Sequence, residues 1–264
     1  MLSFQLCEER DNPFESTNHK AEIKQDGRRV AIIKKDGLVS FWGRDHIVPG
    51  RYPELVEAFK TIEKDFVFDS EFVVFVDGKS DRGLLQTRDK TKDNFKIRLL
   101  SRSSPASAVV FDVLEYNNND LRNESYQTRR TILESIFNNI DLERVSIAKQ
   151  YSIDEAWKIA QEKQLEGIVI KKLYGKYDGK RTDAWIKVKR KEILPMTFTS
   201  YDVSTAGITL ISDSGDRVAC HGQQHHKVKA IIDEKGSVQC EIRRMAGETS
   251  NGRSREIVFW KLVE

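Results

Sequence analysis

The chain is short of cysteine: Cys7, Cys220 and Cys240 are odd in number and far apart. That argues against a disulfide framework and for a reducing compartment. No apolar run approaches the roughly 18 residues that a membrane span needs. Met1–Phe14 carries acids early and has no apolar stretch long enough for a signal peptide. Repeats and low-complexity segments are absent. Net charge is also small, with 44 Lys+Arg against 41 Asp+Glu giving +3, so the placement of cations, not their total, has to argue for or against a polyanionic partner. These absences leave a soluble, cytoplasmic chain with no membrane partner. Its 264 residues, 39% hydrophobic and 9% aromatic, suffice for a packed core and suit one large domain plus a small one.

Periodicity is mixed along the chain. Ala31–Phe41 contains two short β-like runs around Asp36-Gly37, a hairpin signal. Tyr52–Lys64 places Leu55, Phe59 and Ile62 at helical spacing, and Tyr126–Asn138 does the same with Ile132, Ile136 and Phe137. Phe66–Val76, Ala108–Leu114, Leu165–Lys172 and Ala184–Arg190 suit strands. Ser152-Ile-Asp-Glu155 fits a capping box for a helix from Ile153 to about Gln164. The irregular alternation predicts an α+β fold with mixed or antiparallel sheets and flanking helices. Near Lys191–Pro195 the texture changes to short strands interrupted by one helical stretch, Gln224–Asp233. The expected division is therefore 1–190 and 191–264, the second part a small β-barrel such as an OB-fold. His221, His225 and His226, with Cys220 and Cys240, fit no zinc-finger or ribbon spacing.

Four constellations carry chemistry. Lys24-Gln-Asp26-Gly27-Arg28-Arg29 follows Glu22-Ile23. It is either a strand ending in a solvated Asp-Gly turn, or a rigidly held lysine whose pKa is lowered by Arg29, by other lysines or by a metal, so that its amine attacks an electrophile. Asp69-Ser70-Glu71 sits within an apolar strand, where a carboxylate either faces solvent or holds a divalent metal or a ribose hydroxyl. Glu166 opens the run Glu166-Gly-Ile-Val-Ile-Lys171, and a second carboxylate converging with Glu71 makes a better metal site than either alone. In Trp185-Ile-Lys187-Val-Lys189 the period of two points Trp185, Lys187 and Lys189 one way and Ile186 and Val188 the other. That is either a lysine-protected edge strand or a wall facing phosphates. Lys171–Lys191 holds nine Lys/Arg and two Asp, a local excess suited to phosphates.

Together and in this order the constellations resemble the covalent nucleotidyltransferase superfamily, and most closely ATP-dependent DNA ligases of the minimal two-domain, viral or phage-like kind. The first motif of that family, Lys-x-Asp-Gly-x-Arg, matches Lys24 to Arg29. Glu71 ends the third, Phe111-Asp-Val-Leu114 resembles the aromatic motif, and Glu166–Lys171 and Trp185–Lys189 match the fourth and fifth. The resemblance implies that Lys24 forms a phosphoramide with AMP, that Glu22 contacts the adenine amino group and that Phe111 stacks on the base. It implies that Arg29 and Arg44 hold the ribose or a nick phosphate, that Glu71 and Glu166 bind ribose and metal, and that Lys187, Lys189 and Arg181 face phosphates. ATP and Mg2+ (with Mn2+ as a substitute) are the implied cofactors. Nicked duplex DNA is the implied partner of a monomer acting in the cytoplasm, or in the host cytoplasm if viral. Only 23 residues precede Lys24, too few for the extra domain of NAD-dependent ligases. Glu22 and the Trp-x-Lys-x-Lys motif tilt the choice away from mRNA capping enzymes, and the full first motif, which RNA ligases usually lack, tilts it away from RNA ligases. The presence of Lys24, Glu71, Glu166, Lys187 and Lys189 tilts it away from a non-catalytic OB-fold protein.

Overall fold

The structure, a computed structural model, describes residues 2–44, 47, 48, 50–138, 140–248 and 254–263. The chain divides into two compact units, Met1–Val188 and Lys189–Glu264.

The first unit runs β1 (Leu6–Arg10), β2 (His19–Ile23), β3 (Arg28–Lys35), β4 (Leu38–Trp42), α1 (Pro53–Lys60), β5 (Phe66–Val73), β6 (Phe75–Val76) and β7 (Lys79–Ser80). It continues with α2 (Arg82–Lys90), α3 (Asn94–Ser103), β8 (Ser107–Tyr116), β9 (Asn119–Asp120), α4 (Tyr126–Phe137), β10 (Val145–Ile147), β11 (Gln150–Tyr151), α5 (Ile153–Glu162), β12 (Gly167–Lys172) and β13 (Arg181–Lys189), whose last residue belongs to the second unit. One sheet has the order β1-β13-β12-β2-β11, the other β10-β8-β5-β3-β4 with β9 on β8. Both are mixed: β1 and β13 run parallel, as do β10 and β8, while β2 pairs antiparallel with β11 and β12, and β3 with β4 and β5.

The local signals explain the elements. Asp36 and Gly37 both have positive φ, 48° and 77°, as a two-residue hairpin turn matching strand twist requires. Pro53 opens α1, where its missing N–H costs nothing, and Leu55 and Phe59 bury its inner face. Ser152 and Glu155 form the full capping box of α5. Helices α2 and α3 go beyond what the sequence pattern predicts. Their N-caps, Asp81 and Asp93, accept hydrogen bonds from Leu84 and Lys96 N–H. They bury little, only Leu85 and Arg88 in α2 and Ile97 in α3, so apolar periodicity is faint.

Four apolar clusters form in this unit, the smallest of them Val73, Val109 and Ala148. Phe59, Phe66, Phe68 and Phe72 pack with Leu55 and Leu133 between the second sheet and its helices, each contributing about 1.5–3 kcal/mol by burial. Ile168, Ile170, Ile186 and Val188 pack under α5 through Ile153, Ala156 and Ala160. Leu114, Tyr177, Ala184 and Trp185 form the third, with Phe111 against it. Strand β13 thus sends Trp185 to one core and Ile186 and Val188 to another, the alternation expected of it.

The second unit contains β14 (Lys191–Ser204), β15 (Gly207–Ser212), β16 (Arg217–His221), α6 (Gln224–Lys235), β17 (Val238–Glu248) and β18 (Ser254–Leu262). The antiparallel order is β16-β15-β14-β17-β18, and β16 also approaches β18, so the sheet nearly closes into a barrel of OB-fold kind. Cys220 and Cys240 are buried in its core among Phe198, Leu210 and Ile242, where they act as small hydrophobes.

Candidate active site

Strand β2 ends at Ile23, and the next residue, Lys24, donates its backbone N–H to Gly167 O at 2.9 Å. Gly167 has φ 151°, a left-handed-side conformation suited to glycine, which lets the chain turn from Glu166 into β12. The register of β2 with β12 then pairs Ile23 with Ile168. As a result Lys24 and Glu166 are neighbours, with Lys24 Nζ 2.8 Å from Glu166 Oε1. On the other side, Gly27 lies hard against β5: a Cβ there would stand 2.1 Å from Phe72 O. Only glycine permits this approach, and it carries the Lys24 segment toward Glu71, which faces Arg29 in the β3–β5 register.

The electrostatics differ from the sequence expectation. Burial pulls the Lys24 pKa down, but Glu166, Glu71 and Asp26 outweigh burial and raise it above the ordinary lysine value. The amine is held as an ammonium by carboxylates, not freed by neighbouring cations. Burial pushes Glu71 up to about 7, with Lys24 and Arg29 opposing and Glu166 and Asp69 adding to the rise. Glu71 and Glu166 therefore converge on Lys24.

Arg29 is committed to the protein. Its guanidinium grips Asp69 bidentately at 3.0 and 2.6 Å, donates to Gln5 O at 2.5 Å and reaches Tyr177 Oη at 3.3 Å. It also lies over the rings of Phe4, Phe111 and Trp185. Four hydrogen bonds to protein acceptors thus engage Arg29, the residue for which the resemblance implies a ribose or nick-phosphate contact. It ties β3 to β5, to the segment just before β1 and to the connection between β12 and β13.

Glu22 is buried, with 3% of its surface exposed. Tyr126 Oη donates to its Oε1 at 2.5 Å, Lys171 Nζ lies 2.8 Å from its Oε2, and Arg130 stands 3.8 Å away. Lys171 also donates to Phe111 O at 2.9 Å and sits against the rings of Phe111, Tyr126 and Trp185. Phe111 is half-buried beside this group. Lys187 Nζ pairs with Glu9 at 3.0 Å. Lys189 opens the second unit and pairs there with Glu256 at 2.5 Å. Arg181, exposed, donates to Cys7 O and ties β13 to β1. Arg44 is exposed at the bend after β4 and has no ion pair among the described residues.

The structure thus gathers Lys24, Glu71 and Glu166, and beside them Glu22 and Phe111. It leaves Arg44 and Arg181 at the surface. Sequence reading misses Asp69 and Tyr177 as holders of Arg29, Lys171 and Tyr126 as holders of Glu22, and the fully buried pair Asp112–Arg129, joined by two 2.8 Å bonds. Asp69 and Asp112 lie in strands that the sequence does single out; a carboxylate amid apolar strand residues is the available signal, because such a group needs a cation.

A family model described as ATP dependent DNA ligase domain matches residues 3–189. DNA ligase 1 of Methanosarcina barkeri is 29% identical over 203 residues, 71% of this chain and 37% of that protein. The SPbeta prophage-derived DNA ligase-like protein LigB of Bacillus subtilis is 26% identical over 264 residues, 92% of each. The chain thus spans about a third of the archaeal relative and nearly all of the prophage one. A solved mycobacterial DNA ligase D, complexed with ATP and MES, aligns with 99% of this chain and 95% of its own at TM-score 0.65 and 19% identity, a likeness of fold. Two mixed sheets meeting at a lysine and two carboxylates, with a trailing barrel, define a nucleotidyltransferase. The chain belongs to the ATP-dependent DNA ligase family.

Proposed function

We propose that this chain seals nicks in duplex DNA, using ATP and a covalent intermediate on Lys24. The carrying observation is the placement of the Lys24 amine 2.8 Å from Glu166 and close enough to Glu71 for the two carboxylates to set its charge. In the first step the deprotonated Nζ attacks the α-phosphorus of ATP. A P–N bond forms, the bond to the β-phosphate oxygen breaks and pyrophosphate leaves. The AMP then passes to the 5′-phosphate at a nick, regenerating the Lys24 amine, and the 3′-hydroxyl displaces AMP to close the strand. Glu22 reads the adenine amino group and Phe111 covers the base. Lys187 and Lys189 are the cations that would face the α-phosphate, exchanging their carboxylate partners for it. Arg29 positions the strands that carry Lys24 and Glu71.

Glu71 and Glu166 fit Mg2+. Among the described residues no cluster of three or more His, Cys, Asp or Glu forms a closed metal cage. Mg2+ normally uses one or two carboxylates and keeps waters and phosphate oxygens for the remaining positions. A carboxyl raised to about 7 beside other carboxylates is also where a divalent cation relieves repulsion. When bound, Mg2+ or Mn2+ would supply charge neutralisation to the phosphates.

Intact-mass measurement after incubation with ATP or GTP and magnesium, in parallel with a gel assay on a 5′-phosphorylated nicked duplex, tests the reading. The expected result is an AMP adduct lost in Lys24→Ala, with sealing of the nick. A GMP adduct alone would make the chain a capping-type enzyme, and an AMP adduct that seals only RNA ends would make it an RNA ligase.

A further inference from the structure

Behind Glu22 stands a chain of buried and half-buried polar side chains that the adenylylation chemistry itself does not use. Gln150 Nε2 donates to Tyr126 Oη at 2.9 Å, and Tyr126 Oη donates to Glu22 Oε1 at 2.5 Å. Lys171 holds the other carboxylate oxygen at 2.8 Å. Arg130 donates to Ala148 O at 2.6 Å and stands 3.8 Å from Glu22. The parts come from β2, α4, β11 and β12: β11 and β12 flank β2 in register, Gln150 opposite Glu22 on one side and Val169 opposite it on the other.

The order of donation matters. A phenol has one hydrogen and can accept others. Because the Gln150 amide donates to the Tyr126 oxygen, the Tyr126 hydrogen is left for Glu22. Tyr126 is almost wholly buried and its pKa is pushed up, first by burial and then by Glu22, so the hydroxyl keeps that hydrogen. Glu22 consequently receives a hydrogen at each oxygen from behind, and its remaining lone pairs are acceptors only. Held at both oxygens in this way, Glu22 is fixed in orientation and presents acceptors to the base edge, matched to an amine donor and mismatched to a guanine carbonyl.

We infer that Tyr126 and Gln150 are positioning residues for base choice: they orient Glu22 as a fixed acceptor and so set the preference for a purine with an exocyclic amine at its six position. The inference rests on the proposed role of Glu22 and adds to it the residues that enforce it. The loss of a hydrogen bond to a charged group, of order 1.5–3 kcal/mol, corresponds to about ten- to a hundred-fold in an equilibrium. Because Tyr126 acts through Glu22, the lower end applies.

The test compares AMP-type adduct formation on Lys24 with ATP and with purine riboside triphosphate, which lacks the amine, in the wild type, Tyr126→Phe and Gln150→Ala. Tyr126→Phe keeps the ring that Lys171 packs on, so its fold is checked by an unchanged melting profile. The wild type is expected to prefer ATP. Tyr126→Phe should lower the ATP to purine riboside ratio of kcat/KM by about ten-fold, with the change in KM for ATP and little in kcat. Gln150→Ala, half-buried and outside the helix core, should lower the ratio less, by about three-fold, and gives a reading should Tyr126→Phe not fold. A wild-type preference for ATP that persists unchanged in both variants overturns the inference alone. A purely structural role would lower both substrates together and leave the ratio fixed, which also overturns it. A wild type with no amine preference overturns the Glu22 reading with it.

Discussion

Lys24 Nζ and Glu166 Oε1 stand 2.8 Å apart, joined because the backbone of Lys24 hydrogen-bonds to Gly167 and brings the end of β2 against the start of β12. The nucleophile is thus stored as the cationic half of an ion pair. Its pKa is pulled down by burial and raised further by Glu166, Glu71 and Asp26, with a net rise. Since the folded-state value lies above the ordinary lysine value, the pair's contribution to stability is complete at neutral pH and is lost only as pH rises through that higher value. Chemistry needs the neutral amine, so the rate of the first step should climb with pH through and above neutrality. In Glu166→Gln the rising limb should move to lower pH while the plateau rate falls about hundred-fold. Single-turnover mass spectrometry across pH checks both; a limb that stays in place would mean that Glu166 does not set the charge of Lys24.

Glu71 gives a second pH-dependent prediction, in a lower pH window. Its folded pKa, about 7, lies above the ordinary glutamate value, so the native state takes up a proton more readily than the unfolded chain. Stability associated with this group is greatest at low pH and falls as pH rises through about 7. Glu71→Gln should therefore stabilise the fold by about 1–3 kcal/mol at pH 8 and by almost nothing at pH 4, below the ordinary glutamate value, while abolishing most adenylylation. Denaturant melts at the two pH values read the difference directly, and an equal effect at both would show that burial does not perturb Glu71.

The pair Asp112–Arg129 has both side chains completely buried and joined by two 2.8 Å bonds. Removing one partner leaves an uncompensated charge in the core. Arg129→Met should cost about 3–5 kcal/mol, and adding Asp112→Asn should recover a large part. The cycle is measured by urea unfolding, and additive single effects would mean that the two charges do not depend on each other.

The mixed sheets, the hairpin at Asp36-Gly37 and the α5 cap are legible in the sequence, because they rest on short-range patterns; the gathering of Lys24, Glu71 and Glu166 is expected only through the family resemblance. The sequence does not disclose that Glu22 is held by Tyr126, 104 positions away, or that Arg29 is taken up by Asp69 and Tyr177. Those pairings depend on which strands become neighbours, which no local period encodes. The direction of the Lys24 shift departs from the sequence expectation for the same reason: Arg29 is near in sequence, but Glu71 and Glu166 arrive from other strands and dominate. Helices α2 and α3 escape the pattern because Phe95 and Leu99 of α3 are exposed, which erases the apolar stripe.

The basic segment 171–191 also changes meaning once its partners are known. Lys171 is paired with Glu22, Lys172 with Asp183, Lys187 with Glu9 and Lys189 with Glu256. Lys176 and Lys180, exposed between β12 and β13, have no carboxylate partner among the described residues. They can meet a phosphate without first breaking an ion pair. Binding to a nicked duplex should therefore weaken with salt despite the net charge of +3. Replacing both Lys176 and Lys180 by alanine should lower the slope of log affinity against log salt by about two, close to one unit for each phosphate that the protein no longer neutralises. Lys172→Ala, which removes a cation already paired, should change it by well under one. Fluorescence anisotropy of a labelled nicked duplex at several salt concentrations measures the slopes. An unchanged slope in the double variant would assign phosphate binding to other cations and make this loop a solvated surface.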